Sequence, residues 1–120
     1  MFRLAHIGLR VRDLEHSKKF YQTVMGFSLE KSLDLDGTRL AFMVTEGATL
    51  ELVEKKHMPY PGDGAAPMHL AFHVDDIRAE IKRLKGCEVP LEKEEPIPFQ
   101  GGYIFFFKGP DGEVLEFCQE

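Results

Sequence analysis

The chain has 120 residues and a formal net charge of −5, from 15 Lys and Arg against 20 Asp and Glu. Such a length supports one compact core, and the acidic balance offers no basic field for nucleic acid or for an anionic membrane surface. No apolar run reaches membrane-spanning length and no leader pattern opens the sequence. Two widely separated cysteines, Cys87 and Cys118, fit small core residues in a reducing cytoplasm rather than a disulfide scaffold.

Residues 3–11 alternate as a strand. Asp13 is placed to cap a helix from Leu14 to Met25, with Leu14, Phe20 or Tyr21, and Val24 on its apolar face and Gly26 just beyond it. A strand over 27–35 leads through Asp36-Gly37, a two-residue hairpin signal, into a strand over 38–45. Glu46-Gly47 turns the chain into a strand over 48–54. The prolines and glycines of 56–67 mark a loop or linker. The order then repeats. A strand over 68–74 precedes a helix capped by Asp75 and running to Lys85, with Ile77, Ile81 and Leu84 on one face and Gly86 after it. A strand over 87–92, a loop over 94–100 and strands over 102–107 and 113–118 follow, the last two flanking the turn Pro110-Asp111-Gly112. The expected class is α+β: two β-α-β-β-β modules, about 1–55 and 68–120, joined by 56–67 into a single domain.

The repeat singles out four residues. His6 and His69 lie 63 residues apart and open the apolar runs 6–11 and 69–74, whereas Glu51 and Glu116 lie 65 apart and interrupt the apolar runs 50–53 and 114–117. Strand alternation puts His6, Gly8 and Arg10 on one face, and His69, Ala71 and His73 on the corresponding one. The opposite faces are apolar and available to the helices. A carboxylate inside a cleft is costly unless it is paired or metal-bound. Two imidazoles and two carboxylates without thiolates suit one divalent ion, Ni, Zn or Co, with Mn or Fe(II) also compatible. Metal ligation by His6, Glu51, His69 and Glu116 is therefore the expectation. His73 shares the His69 face and is a candidate for contact with substrate.

The stretches His6-Ile7-Gly8-Leu9-Arg10-Val11-Arg12-Asp13-Leu14, Phe20-Tyr21, Gly26-Phe27, Leu50-Glu51-Leu52, His69 to Asp75, Gly109-Pro110-Asp111-Gly112 and Leu115-Glu116 resemble the vicinal oxygen chelate superfamily, also called the glyoxalase/bleomycin resistance/dioxygenase superfamily. The resemblance covers essentially the whole chain. It implies eight strands in an incomplete barrel around a metal, with ligands falling on the same four residues. Acid at both later positions is most similar to bacterial glyoxalase I. That enzyme isomerises the hemithioacetal of a 2-oxoaldehyde to a 2-hydroxyacyl thioester through a metal-stabilised enediolate.

The resemblance further implies roles. Glu116 is the first candidate for the base and Glu51 the second. Arg10 matches an arginine that binds the glutathione carboxylate. Lys55 stands near the place where glyoxalase I tends to carry an asparagine for glutathione, so the thiol partner stays open. Small relatives often pair as homodimers, with the site within one chain or shared between two. The rival readings are an acyl-CoA epimerase, which usually has an amide at the position of Glu51, and a fosfomycin-modifying thiol transferase, which needs three protein ligands. A metal-free drug-binding protein of bleomycin-resistance type typically loses the ligands, and ring-cleaving dioxygenases commonly have longer chains.

Overall fold

The structure is a computed structural model that describes residues 1, 3–58 and 69–120. Most of the predicted linker 56–67, and the predicted strand start at Met68, lie outside the described residues. The elements run β1 (Ile7–Arg10), α1 (Leu14–Thr23), β2 (Ser28–Leu35), β3 (Thr38–Thr45), β4 (Ala48–Lys55), β5 (His69–His73), α2 (Ile77–Gly86), β6 (Ile97–Phe99), β7 (Gly102–Lys108) and β8 (Val114–Gln119). The chain divides into two compact units, the first carrying β1–β4 with α1 and the second β5–β8 with α2. This is the expected α+β class, built on two four-stranded mixed sheets.

In the first unit the sheet order is β1-β4-β3-β2, with β1 parallel to β4 and the other pairs antiparallel. Register puts Ile7, Leu9, Leu50, Leu52, Ala41 and Met43 on one face. Helix α1 covers that face, burying Leu14, Ser17 and Tyr21. Tyr21, rather than Phe20, is therefore the aromatic residue turned inward. Each fully buried apolar side chain of this size contributes roughly 1.5–3 kcal/mol, so this interface is the main support of the sheet.

The second unit repeats the plan. Its order is β5-β8-β7-β6, with β5 parallel to β8. Phe105, Phe107, Leu115 and Phe117 are buried on the side where α2 packs Ile77, Ile81 and Leu84.

Both helices are fastened at the N-terminus in the same way. Asp13 accepts from the His16 N–H, and Asp76 accepts from the Ala79 N–H, both at 3.1 Å. A side chain of the unit's last strand then takes a further N–H that has no partner within the helix. Glu54 of β4 accepts from Leu14 N at 2.8 Å, and Gln119 of β8 accepts from Ile77 N at 2.6 Å.

Four local expectations are corrected. The α2 cap is Asp76, whose extended backbone (φ −138°, ψ 96°) carries its carboxylate to the N–H three residues on, and not Asp75. Helix α2 runs through Gly86, and the left-handed turn falls on Glu88 (φ 62°). No strand forms over 87–92, because Cys87 N still closes the helix onto Arg83 and Leu84 and Pro90 has no N–H to give. The strand lies instead at Ile97–Phe99, inside the predicted loop. Pro98 is tolerated there because β6 is an edge strand. Gln100 (φ 48°) and Gly101 (φ 82°) then form a tight hairpin turn with both φ positive.

Candidate metal centre

The faces turned away from the helices carry the four singled-out residues, two in each unit. In the first, Gly8 pairs with Glu51 and Glu51 with Phe42 across β1, β4 and β3. His6 lies just before β1 and shares the face of Gly8. Its Nε2 is 3.8 Å from Glu51 Oε1. Phe42 meets the His6 ring edge-on at 5.7 Å between centroids. Gly8 lies beside Glu51 Oε1, and a Cβ there would stand in ordinary contact with that oxygen at 3.7 Å.

In the second unit Ala71 pairs with Glu116, and Glu116 with Phe106. His69 Nε2 is 2.9 Å from Glu116 Oε1, and Phe106 meets the His69 ring at 6.1 Å. The His–Glu–Phe grouping is thus built twice by the same register. The parallel strand pair brings each histidine beside its carboxylate, and the adjoining hairpin adds the aromatic ring.

The two groupings are not equal. The Glu116 side chain is 11% exposed and that of Glu51 21%. Glu116 also has a second partner, since Cys118 Sγ lies 3.1 Å from its Oε2. Burial, then the hydrogen bond to Glu116, pushes the Cys118 thiol up to about 11. The thiol therefore keeps its proton and donates. Contrary to the expectation of two core cysteines, Cys118 is half-buried on this face and Cys87 is exposed; both are free.

The donor types of each pair suit a divalent ion. Ligand atoms about 2.0–2.2 Å from an ion and at right angles to each other lie roughly 3 Å apart, which is the His69–Glu116 separation of 2.9 Å, while His6–Glu51 at 3.8 Å is wider. Each unit supplies one imidazole nitrogen and one carboxylate. Among the described residues, no group of three or more His, Cys, Asp or Glu side chains is disposed to hold a metal. The units thus each present a pair of donors.

Arg10 and His73 close β1 and β5 on the same faces as His6 and His69. The Arg10 Nη2 donates to the Met58 carbonyl at 3.3 Å, and His73 is exposed in register with Cys118. Phe106 and Cys118 are the residues that sequence reasoning passed over. Phe106 lies 64 residues after Phe42, which is the repeat spacing, and Cys118 lies two residues beyond Glu116 on the same strand face.

Residues 3–117 match the Glyoxalase/Bleomycin resistance protein/Dioxygenase superfamily. A probable lactoylglutathione lyase of Vibrio cholerae is 36% identical over 125 residues, covering 98% of this chain and 90% of that protein. An uncharacterized protein of Bacillus subtilis, YwbC, is 33% identical over 123 residues, covering 98% and 97%. Among solved structures, the trypanothione-dependent glyoxalase I of Leishmania major superposes with a TM-score of 0.79 at 27% identity, covering all of this chain and 88% of that one. The chain belongs to the glyoxalase/bleomycin resistance protein/dioxygenase superfamily.

Proposed function

We propose that this protein is a metal-dependent lyase of glyoxalase I type. Its substrate is the hemithioacetal of a 2-oxoaldehyde with a small thiol, and its product a 2-hydroxyacyl thioester. The observation that carries this reading is the doubled His–Glu pair, set on equivalent strands in a chain whose relatives include lactoylglutathione lyases. His6, Glu51, His69 and Glu116 would hold one divalent ion, Ni, Zn or Co by preference, with Mn or Fe(II) also accepted by these donors. When bound, the ion supplies Lewis-acid polarisation of neighbouring substrate oxygens. The two units form a single glyoxalase-like domain in this reading. Their pairs are brought together within one chain or between the two copies of a homodimer, and the protein acts in the cytoplasm.

The chain's own residues do the rest. Glu116 takes the proton from C1 of the substrate and returns it to C2. It is the better placed carboxylate, since one oxygen is fixed by Cys118 and the other faces His69, and general-base work depends first on position. Glu51 serves as ligand and is the second candidate for the base. Arg10 holds an anionic group of the thiol by a charge-assisted pair, and His73 faces the substrate. Phe42 and Phe106 pack edge-on against the imidazoles and limit their rotation.

Metal analysis of protein purified without chelators, followed by assay of methylglyoxal hemithioacetals with glutathione, bacillithiol and coenzyme A, tests the reading. Stoichiometric metal and turnover with one of these thiols are expected. Absence of metal, or no turnover with any thiol under Ni, Co and Zn, would remove the assignment.

A further inference from the structure

We infer that Cys118 is a positioning residue for Glu116. The thiol holds Oε2 at 3.1 Å, so that Oε1 is the oxygen presented to His69 and, in the reading proposed above, to the metal. The direction of the bond follows from chemistry, because an ionised carboxylate only accepts and a thiol can donate. The strand geometry explains the reach. Residues two apart on β8 share a face, and Glu116 and Cys118 stand opposite Ala71 and His73 of the neighbouring strand. Ala71 places only a methyl group beside the carboxylate.

The first unit provides an internal control. Two residues past Glu51 stands Val53, in register with Arg10 as Cys118 is with His73. Valine has no donor. The unit without the thiol has the longer His–Glu separation, 3.8 Å against 2.9 Å, and the more exposed carboxylate, 21% against 11%. The thiol thus makes two carboxylates unequal that the repeat would otherwise make alike. Partners that orient ligand side chains commonly alter metal affinity by about 10–100-fold when removed.

Cobalt(II) is the probe, and a Cys87→Ser background leaves Cys118 as the one thiol. Cys118→Ser retains a donor, and Cys118→Val installs the residue found at the equivalent place in the first unit. The serine variant is expected to bind Co(II) within about twofold of the parent, and the valine variant about tenfold more weakly. Both should unfold thermally at the parent's temperature in the metal-free state. No thiolate-to-cobalt charge-transfer band is expected in the parent. Equal binding by the parent and the valine variant overturns the positioning role, as does a charge-transfer band, which would make Cys118 itself a ligand. A parent that takes up no cobalt overturns the metal reading on which this inference rests.

Discussion

At the scale of single residues, the histidine and the glutamate of each pair carry different expectations. Glu116→Gln keeps a neutral oxygen facing the ion and removes the base, so turnover should fall about 10²–10⁴-fold while metal uptake is largely kept. Steady-state kinetics beside metal titration reads both, and retained turnover would clear Glu116 of that role. Arg10→Ala should raise KM for carboxylate-bearing thiol conjugates with little change in kcat, the pattern of lost uniform binding. A fall in kcat at constant KM would show that Arg10 acts in the chemical step instead. The two His–Glu pairings were legible in the sequence because the histidines open, and the glutamates interrupt, apolar runs at repeated places. Phe106 was not, since it stands in Phe105-Phe106-Phe107, where neighbours of one kind hide which member faces which side. Only pairing with Glu116 decides that. Cys118 was assigned by the burial habit of cysteine, although its spacing from Glu116 already placed it beside the carboxylate.

At the scale of elements, strands and helices were read best where periodicity and turn chemistry agreed. Asp36-Gly37 and Glu46-Gly47 both became two-residue hairpins, with φ of 77° and 82° at their glycines. The stretch after α2 was misread because Pro98 argues against a strand and Gln100-Gly101 is a weaker turn signal than Asn-Gly. A pairing partner outweighed both. Gly102 follows that turn under a tight constraint, since a Cβ there would collide with the Gln119 carbonyl. Gly102→Ala is therefore expected to loosen the edge of the second sheet, and amide hydrogen exchange at β7 and β8 should rise; unchanged protection would show that the backbone yields without cost. Glu54→Ala and Gln119→Ala each remove an acceptor from a helix N-terminus. Each should cost about 1 kcal/mol in denaturant unfolding, as other N-terminal caps do. A change within error would mean that water replaces the side chain.

At the scale of the whole molecule, the repeat conveyed the α+β class, whereas the proposed sharing of one ion by two donor pairs is a matter of assembly that no local pattern encodes. Metal removal tests it thermodynamically. An ion bound only by the folded state at 100 times its Kd adds about 2.7 kcal/mol, so chelation should lower the melting temperature, and an unchanged value would argue that the pairs bind nothing in common. Mixing distinguishes the two assemblies. His6→Ala and His69→Ala chains are each expected to be inactive. If sites form between copies, activity returns on co-refolding, because one intact combination of pairs arises in the mixed dimer; if each chain builds its own site, the mixture stays inactive.

One feature of the topology bears on the order of events during folding. In each unit the first strand pairs with the last, Ile7 with Leu50 and His69 with Val114, whereas the remaining strands pair with sequence neighbours. Neighbouring hairpins close short loops and form early, and the parallel pairing must wait for a long one. The glutamates lie on the hairpin strands and the histidines at the late-arriving first strands. Each His–Glu pair therefore depends on the one long-range strand pairing of its unit, and fraying of β1 or β5 alone would part the histidine from its glutamate while the hairpins remain formed.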